Sequence, residues 1–124
     1  MTNNNYVLRE ATVTFSKDIV AFCSKEPATA VSRPLIEQLI RSATSVGANY
    51  AEADNASSRN DFRNKLFIAK KEAAETKFWL SLLVDIASDY ETCTKLISDC
   101  QILLMTLQKV VNSLRVRALA PDNR

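Results

Sequence analysis

The sequence predicts an all-α fold, an antiparallel four-helix bundle with up-down-up-down order. Three observations predict it. One Gly and three Pro in 124 residues leave few turn signals and several long helix-compatible runs. Apolar residues recur in steps of three and four through four separate segments. The connections between those segments are short, which favours antiparallel neighbours. No segment has the alternation of a strand.

The first helix is expected from about Tyr6 to Ser24, with Leu8, Thr12, Phe15, Ile19 and Phe22 as its seam. Residues 1–5 read as a disordered lead, 6–119 as the bundle and 120–124 as a tail. A linker with Pro27 follows the first helix. The second begins near Ser32 or Arg33, with Pro34 in its first turn, where a missing N–H costs nothing. It should end near Asn55. Leu35, Leu39, Ala43, Val46 and Tyr50 share one face. Gln38, Ser42, Ser45, Asn49 and Glu52 form a polar stripe beside it. Gly47 lies mid-helix, where it costs up to about 1 kcal/mol relative to Ala; close approach of another helix is the reading.

Ser58 is positioned to cap the third helix, with Asp61 near its positive end. This helix should run from about Arg59 to Ile86 or Ala87. Phe62, Leu66, Ala69, Ala73, Leu80, Leu83 and Ala87 form one apolar face. Ile68, Trp79, Leu82 and Ile86 form a second, widened by Phe67 and Phe78. Three other short helices cannot easily cover both, so the pattern predicts a homo-oligomer with Phe67, Ile68, Phe78, Trp79 and Leu82 in the interface. The fourth helix, from about Thr92 to Val116, carries the most regular repeat: Cys93, Ile97, Cys100, Leu104, Leu107, Val111 and Leu114.

The bulk numbers exclude several classes. Net charge is +2, too small to imply nucleic acid by itself. A local group, Arg59, Arg63, Lys65, Lys70 and Lys77, is the candidate nucleic-acid contact, although Asp61, Glu72 and Glu75 are interleaved with it. No apolar run approaches the roughly 18 residues of a membrane span. The N-terminal residues lack a signal-peptide layout, so the expected location is the cytoplasm. The three Cys are odd in number and form no C-x-x-C pair, which argues against a disulfide framework.

The chain has no His, which removes the commonest general base and a principal zinc ligand. Glu72-x-x-Glu75 resembles half of a carboxylate-bridged metal site but lacks its His partners. No metal or cofactor is expected. A lysine-activated nucleophile would need a buried Lys, and Lys71 is the one candidate. The polar stripe of the second helix and Lys71, Glu72, Glu75 and Thr76 of the third read first as a network that fixes register. An open pocket with a raised carboxylate pKa would instead point to an enzyme.

Gln38-Leu39-Ile40-Arg41-Ser42-Ala43-Thr44-Ser45-Val46-Gly47-Ala48-Asn49-Tyr50-Ala51-Glu52 resembles the signature of bacterial four-helix bundle proteins encoded in intervening sequences of large-subunit (23S) ribosomal RNA genes. The run Lys65-Leu66-Phe67-Ile68-Ala69-Lys70-Lys71-Glu72-Ala73-Ala74-Glu75-Thr76-Lys77-Phe78-Trp79-Leu80 matches as well. Ala53 stands where the family pattern often has Gly, which implies a longer second helix. The matching motif positions are Arg41, Ser42, Ser45, Asn49, Glu52, Phe62, Lys71, Glu72, Glu75, Thr76 and Trp79. The resemblance implies a ring-like homopentamer without enzymatic activity. A related group of pentameric bundles binds RNA and protein, so the function expected is a non-catalytic scaffold or accessory protein contacting structured RNA or ribonucleoprotein. The alternative is a protein–protein adaptor that docks a partner helix on the aromatic face of Phe67, Phe78 and Trp79.

Overall fold

The structure is a computed structural model. Its backbone is described for residues 4–119 and its side chains for residues 7–115. The expected tail, 120–124, and the first three residues of the expected lead lie outside the described residues. Four helices follow one another: α1 (Asn4–Lys25), α2 (Ser32–Asp54), α3 (Arg59–Leu83) and α4 (Tyr90–Leu119). Each packs on its neighbours in sequence, and α1 closes the ring against α4. The α2–α3 pairing is the most extensive, and among the described residues the backbones of diagonal helices do not approach one another. The all-α four-helix architecture is therefore as expected.

The core is the union of the four apolar seams. Ile19, Leu39, Val46, Leu66, Leu80, Leu107 and Val111 are all fully enclosed. Burial of such side chains contributes on the order of 2 kcal/mol each, which is why the three-and-four spacing decides the fold. Cys23, Cys93 and Cys100 are buried free thiols in the same core. Gly47 sits where α1 crosses α2. A Cβ there would stand 3.3 Å from the Ser16 hydroxyl and 3.5 Å from the Thr12 carbonyl oxygen, so the missing side chain permits the close approach.

The helix ends differ from the sequence reading at the start of α1, the end of α3 and the start of α4, while α2 begins at Ser32 as expected. α1 begins at Asn4, inside the stretch read as a lead; helix ends shift by a residue or two because the first turn holds few bonds. The entry to α2 is fixed earlier than its first residue. The Ser32 N–H donates to Thr29 Oγ1 at 2.9 Å and the Thr29 N–H to Ser32 Oγ at 2.9 Å, a reciprocal cap. α3 stops at Leu83, three residues before the earlier expected end. The chain tightens there, with Ile86 N–H bonded to the Leu83 carbonyl at 3.0 Å, and β-branched Val84 and Ile86 gain little from staying helical. α4 starts at Tyr90, two residues early, because Asp89 caps it: the Thr92 N–H donates to Asp89 Oδ1 at 3.1 Å. At the α3 start, Ser58 accepts from the Asp61 N–H at 3.0 Å, as its position predicts.

The turn between α3 and α4 is held from a distance. Glu26, just past α1, accepts from the Ser88 N–H at 3.0 Å, the Ser88 hydroxyl at 2.8 Å and the Asp89 N–H at 3.0 Å. Burial alone would raise the Glu26 pKa, but these donors outweigh it and hold the carboxyl below its ordinary value. Periodicity carries no signal for this clasp, since its partners are loop residues on separate segments.

Candidate polar network and cationic face

The residues singled out on α2 and α3 do lie along one seam, but they form four separate contacts instead of one cluster. At its centre, Thr76 Oγ1 is 2.9 Å from Ser42 Oγ, with both side chains fully buried. The Thr76 hydroxyl also reaches the Glu72 carbonyl oxygen at 2.7 Å, and the Ser42 hydroxyl reaches that of Leu39 at 3.3 Å. Every polar atom of this pair is thus engaged.

Towards solvent, Arg41 spans both carboxylates of α3. Its Nη1 donates to Glu72 Oε1 at 3.3 Å and its Nη2 to Glu75 Oε2. The Trp79 indole N–H donates to the same Glu75 oxygen at 3.0 Å. The indole and the guanidinium hold the Glu75 carboxyl below the usual range. Glu75 stays ionised and paired at neutral pH, the opposite of the raised pKa a general acid needs. Lys71, the lysine considered for activation, is exposed, and Arg41 is the cation that pairs with Glu72 and Glu75. Lys71 lies one turn before Glu75 on the outer face of α3, and its charge adds only a minor contribution to holding Glu75 ionised.

The other two contacts are independent. Asn49 donates within α2, to the Ser45 carbonyl at 2.9 Å and the Ser45 hydroxyl at 3.0 Å. Glu52 pairs with Lys65 across the helices at 2.7 Å. Asn49, Glu52, Lys71 and Glu75 therefore do not converge on a common point. The thiols offer no nucleophile: burial pushes Cys23 and Cys93 up to about 11 and Cys100 up to about 12, so all three stay protonated at neutral pH.

The apolar residues expected at an interface form a band on the outside of α3. Phe78 is 54% exposed, Leu82 42% and, in the turn after the helix, Ile86 51%. Trp79 and Phe67 are half-buried against the core, and Phe78 meets Trp79 edge-to-face with ring centres 5.0 Å apart. Ile68 is also half-buried.

The candidate nucleic-acid residues divide. Lys65 turns to α2 and Glu52, as above. Arg59, Arg63, Lys70 and Lys77 fall within about 40° of arc on the α4 side of α3. The Lys77 ammonium bonds Gln101 Oε1 on α4 at 2.6 Å, which fixes the direction of this stripe. Arg115 of α4, which no sequence pattern singled out, stacks its guanidinium over Phe67 at 5.5 Å.

The comparisons agree with this architecture. The family model described as 23S rRNA-intervening sequence protein matches residues 4–109. Among solved structures, the chain resembles a protein of unknown function from the S23 ribosomal protein family of Bacteroides thetaiotaomicron. The two share 32% identity with a TM-score of 0.75, covering 89% of this chain and 99% of that one. No curated protein matches.

Proposed function

Because the chain belongs to the 23S rRNA-intervening sequence protein family, we propose that it is a non-catalytic oligomeric scaffold, an accessory protein that contacts structured RNA or ribonucleoprotein. The observation that carries this reading is the apolar band of Phe78, Leu82 and Ile86, left uncovered by the chain's own helices. A second copy is its proposed cover, in a ring-like homopentamer. A ring needs two different surfaces that meet head-to-tail. Val13 and Val20 of α1, 47% and 48% exposed, supply apolar surface away from α3. In the polar network beside the band Ser42, Thr76, Arg41, Glu72 and Glu75 all have partners, which favours a structural role over a catalytic one. The buried free thiols suit a reducing compartment, and the cytoplasm is the proposed location.

The test is Leu82→Glu combined with Phe78→Glu. Both sites are exposed, so the variant should keep its helix content and lose its assembly. Assembly unchanged by both charges would overturn the proposal.

A second reading, a protein–protein adaptor, has one specific observation in its favour. A groove of about 380 Å³ runs between α1 and α4, lined by Val7, Leu8, Phe15, Ile102 and Leu103. It is mainly apolar, with Asp18, Lys95 and Asp99 at its border, and lies away from Phe67, Phe78 and Trp79, so a docked helix would sit on a different face from the one the sequence suggested.

A further inference from the structure

The basic side chains of this bundle are of two kinds. Arg9, Arg41, Lys65 and Lys95 are each paired with a carboxylate: Asp54, Glu72 with Glu75, Glu52 and Asp99 respectively. Of those on the α3–α4 face, three have neutral partners instead. Lys77 bonds the Gln101 amide, Arg63 bonds the Asn60 amide and Arg115 covers the Phe67 ring. No ion pair among the described residues involves Arg59, Arg63, Lys70, Lys77 or Arg115.

The carboxylates of α3, and Asp99 of α4, lie elsewhere, while Asp85, Asp89 and Glu91 belong to the α3–α4 turn and the first turn of α4, beyond Lys77. On α3, Glu72 and Glu75 face α2 and Arg41, and Asp61 lies on the same side, near Lys65. On α4, Asp99 lines the groove against α1. The residues of α4 that face α3 include Ile97, Gln101, Leu104, Gln108 and Arg115, with no acid among them. Charge is thus segregated in space although it is interleaved in sequence. The stripe from Arg59 to Lys77 is straight and about 27 Å long, with Arg63, Lys70 and Lys77 spaced at about 10 Å.

We propose that this α3–α4 face is a phosphate-backbone surface that takes a double-helical segment of RNA. The inference rests on the RNA-contact reading above and deepens it by naming the face and the form of the RNA. Cations held by neutral partners keep their full charge for an incoming polyanion and release its counterions. A duplex suits the surface better than a single strand. Single strands are held by bases stacked on aromatic rings, and Phe67, the ring beside Arg115, already carries a guanidinium on its face. Recognition of A-form RNA runs largely through backbone and shape, which a line of Lys and Arg can supply. The stripe lies to one side of the Phe78–Leu82 band, so an assembled oligomer presents one copy per subunit and gains from multivalency.

The experiment is fluorescence anisotropy of the full chain with a 20-base-pair RNA duplex and a single strand of one duplex sequence, across a salt series. Lys70→Gln/Lys77→Gln is compared with Lys65→Gln, and light scattering checks that assembly is unchanged. Arg115→Gln, at an exposed site, serves as the second variant should the double variant lose helix content. Duplex binding should weaken with salt, and the double variant should lose roughly tenfold in affinity and about two units of salt slope, with Lys65→Gln close to wild type. Arg115→Gln should lose about one unit. Equal losses in Lys65→Gln, or preference for the single strand, would overturn the inference while the RNA-contact reading stands. No binding of either RNA by the wild-type protein would overturn that reading itself.

Discussion

Thr76 and Ser42 place their hydroxyl oxygens 2.9 Å apart in the middle of the α2–α3 interface, both fully buried. Leu39 and Ala43 on α2 and Ala73 and Leu80 on α3, within about one turn of the pair along each helix, belong to the core, so the pair is a polar point on an otherwise apolar seam. Each hydroxyl also faces a carbonyl one turn back in its own helix. Such a pair adds little net stability when complete and is costly when halved.

Thr76→Val should therefore destabilise the fold by about 1 kcal/mol, and Ser42→Ala by a similar amount. The double variant should lose less than the sum, because no unpaired hydroxyl remains. Denaturant melts of the four proteins give the coupling directly. Strict additivity would mean that the two groups do not support one another.

Arg41 is half-exposed, but Glu72 beneath it is 8% exposed. Removing the guanidinium leaves that carboxylate without its cation. Arg41→Met should cost about 1–2 kcal/mol, reduced by the solvent around Arg41. Glu72→Gln in the Arg41→Met background should recover part of the loss. A melt unchanged in Arg41→Met would show that the pair contributes nothing.

The Glu26 clasp gives a pH signature. Its carboxyl titrates lower in the folded chain than its ordinary value of 4.5. A depressed folded pKa adds stability above the unfolded value, and that stability is lost as pH falls through the folded one. Glu26→Gln should be less stable than wild type by about 1 kcal/mol at neutral pH. The gap should narrow as the pH falls below about 4.5. A gap that holds constant down to pH 3 would contradict the ionised clasp.

At Gly47 two effects oppose. Alanine is a better helix former by about 1 kcal/mol, but its Cβ meets the Ser16 hydroxyl at 3.3 Å. Ser16 is itself bonded to the Thr12 carbonyl at 2.9 Å, so it gives way only by losing that contact. Gly47→Ala should be stabilising in a Ser16→Ala background and less so, or destabilising, in wild type. Equal effects in both backgrounds would remove the steric role assigned to Ser16.

The four helices were legible because each apolar seam repeats at helical spacing, and Leu39, Leu66 and Leu107 ended in the core that spacing assigns. The polar stripe was legible as a stripe but not as pairs. Choosing Arg41 over Lys71 as the partner of Glu75 depends on the relative rotation of two helices, which one-dimensional periodicity leaves open. Glu26 was missed because its partners, Ser88 and Asp89, are over sixty positions away in an unpatterned turn. The basic group looked neutralised because Glu72 and Glu75 are interleaved with it in sequence. On the helix they turn to α2 while Lys70 and Lys77 turn to α4, and Arg115 joins from a different helix.

If the outer band of α3 joins one copy of this chain to the next, light scattering on the purified protein will show a single species near five times the chain mass of 13.8 kDa, falling to the chain mass in Leu82→Glu/Phe78→Glu. A stable wild-type monomer of 13.8 kDa would contradict it and leave Phe78, Leu82 and Ile86 as an uncovered face.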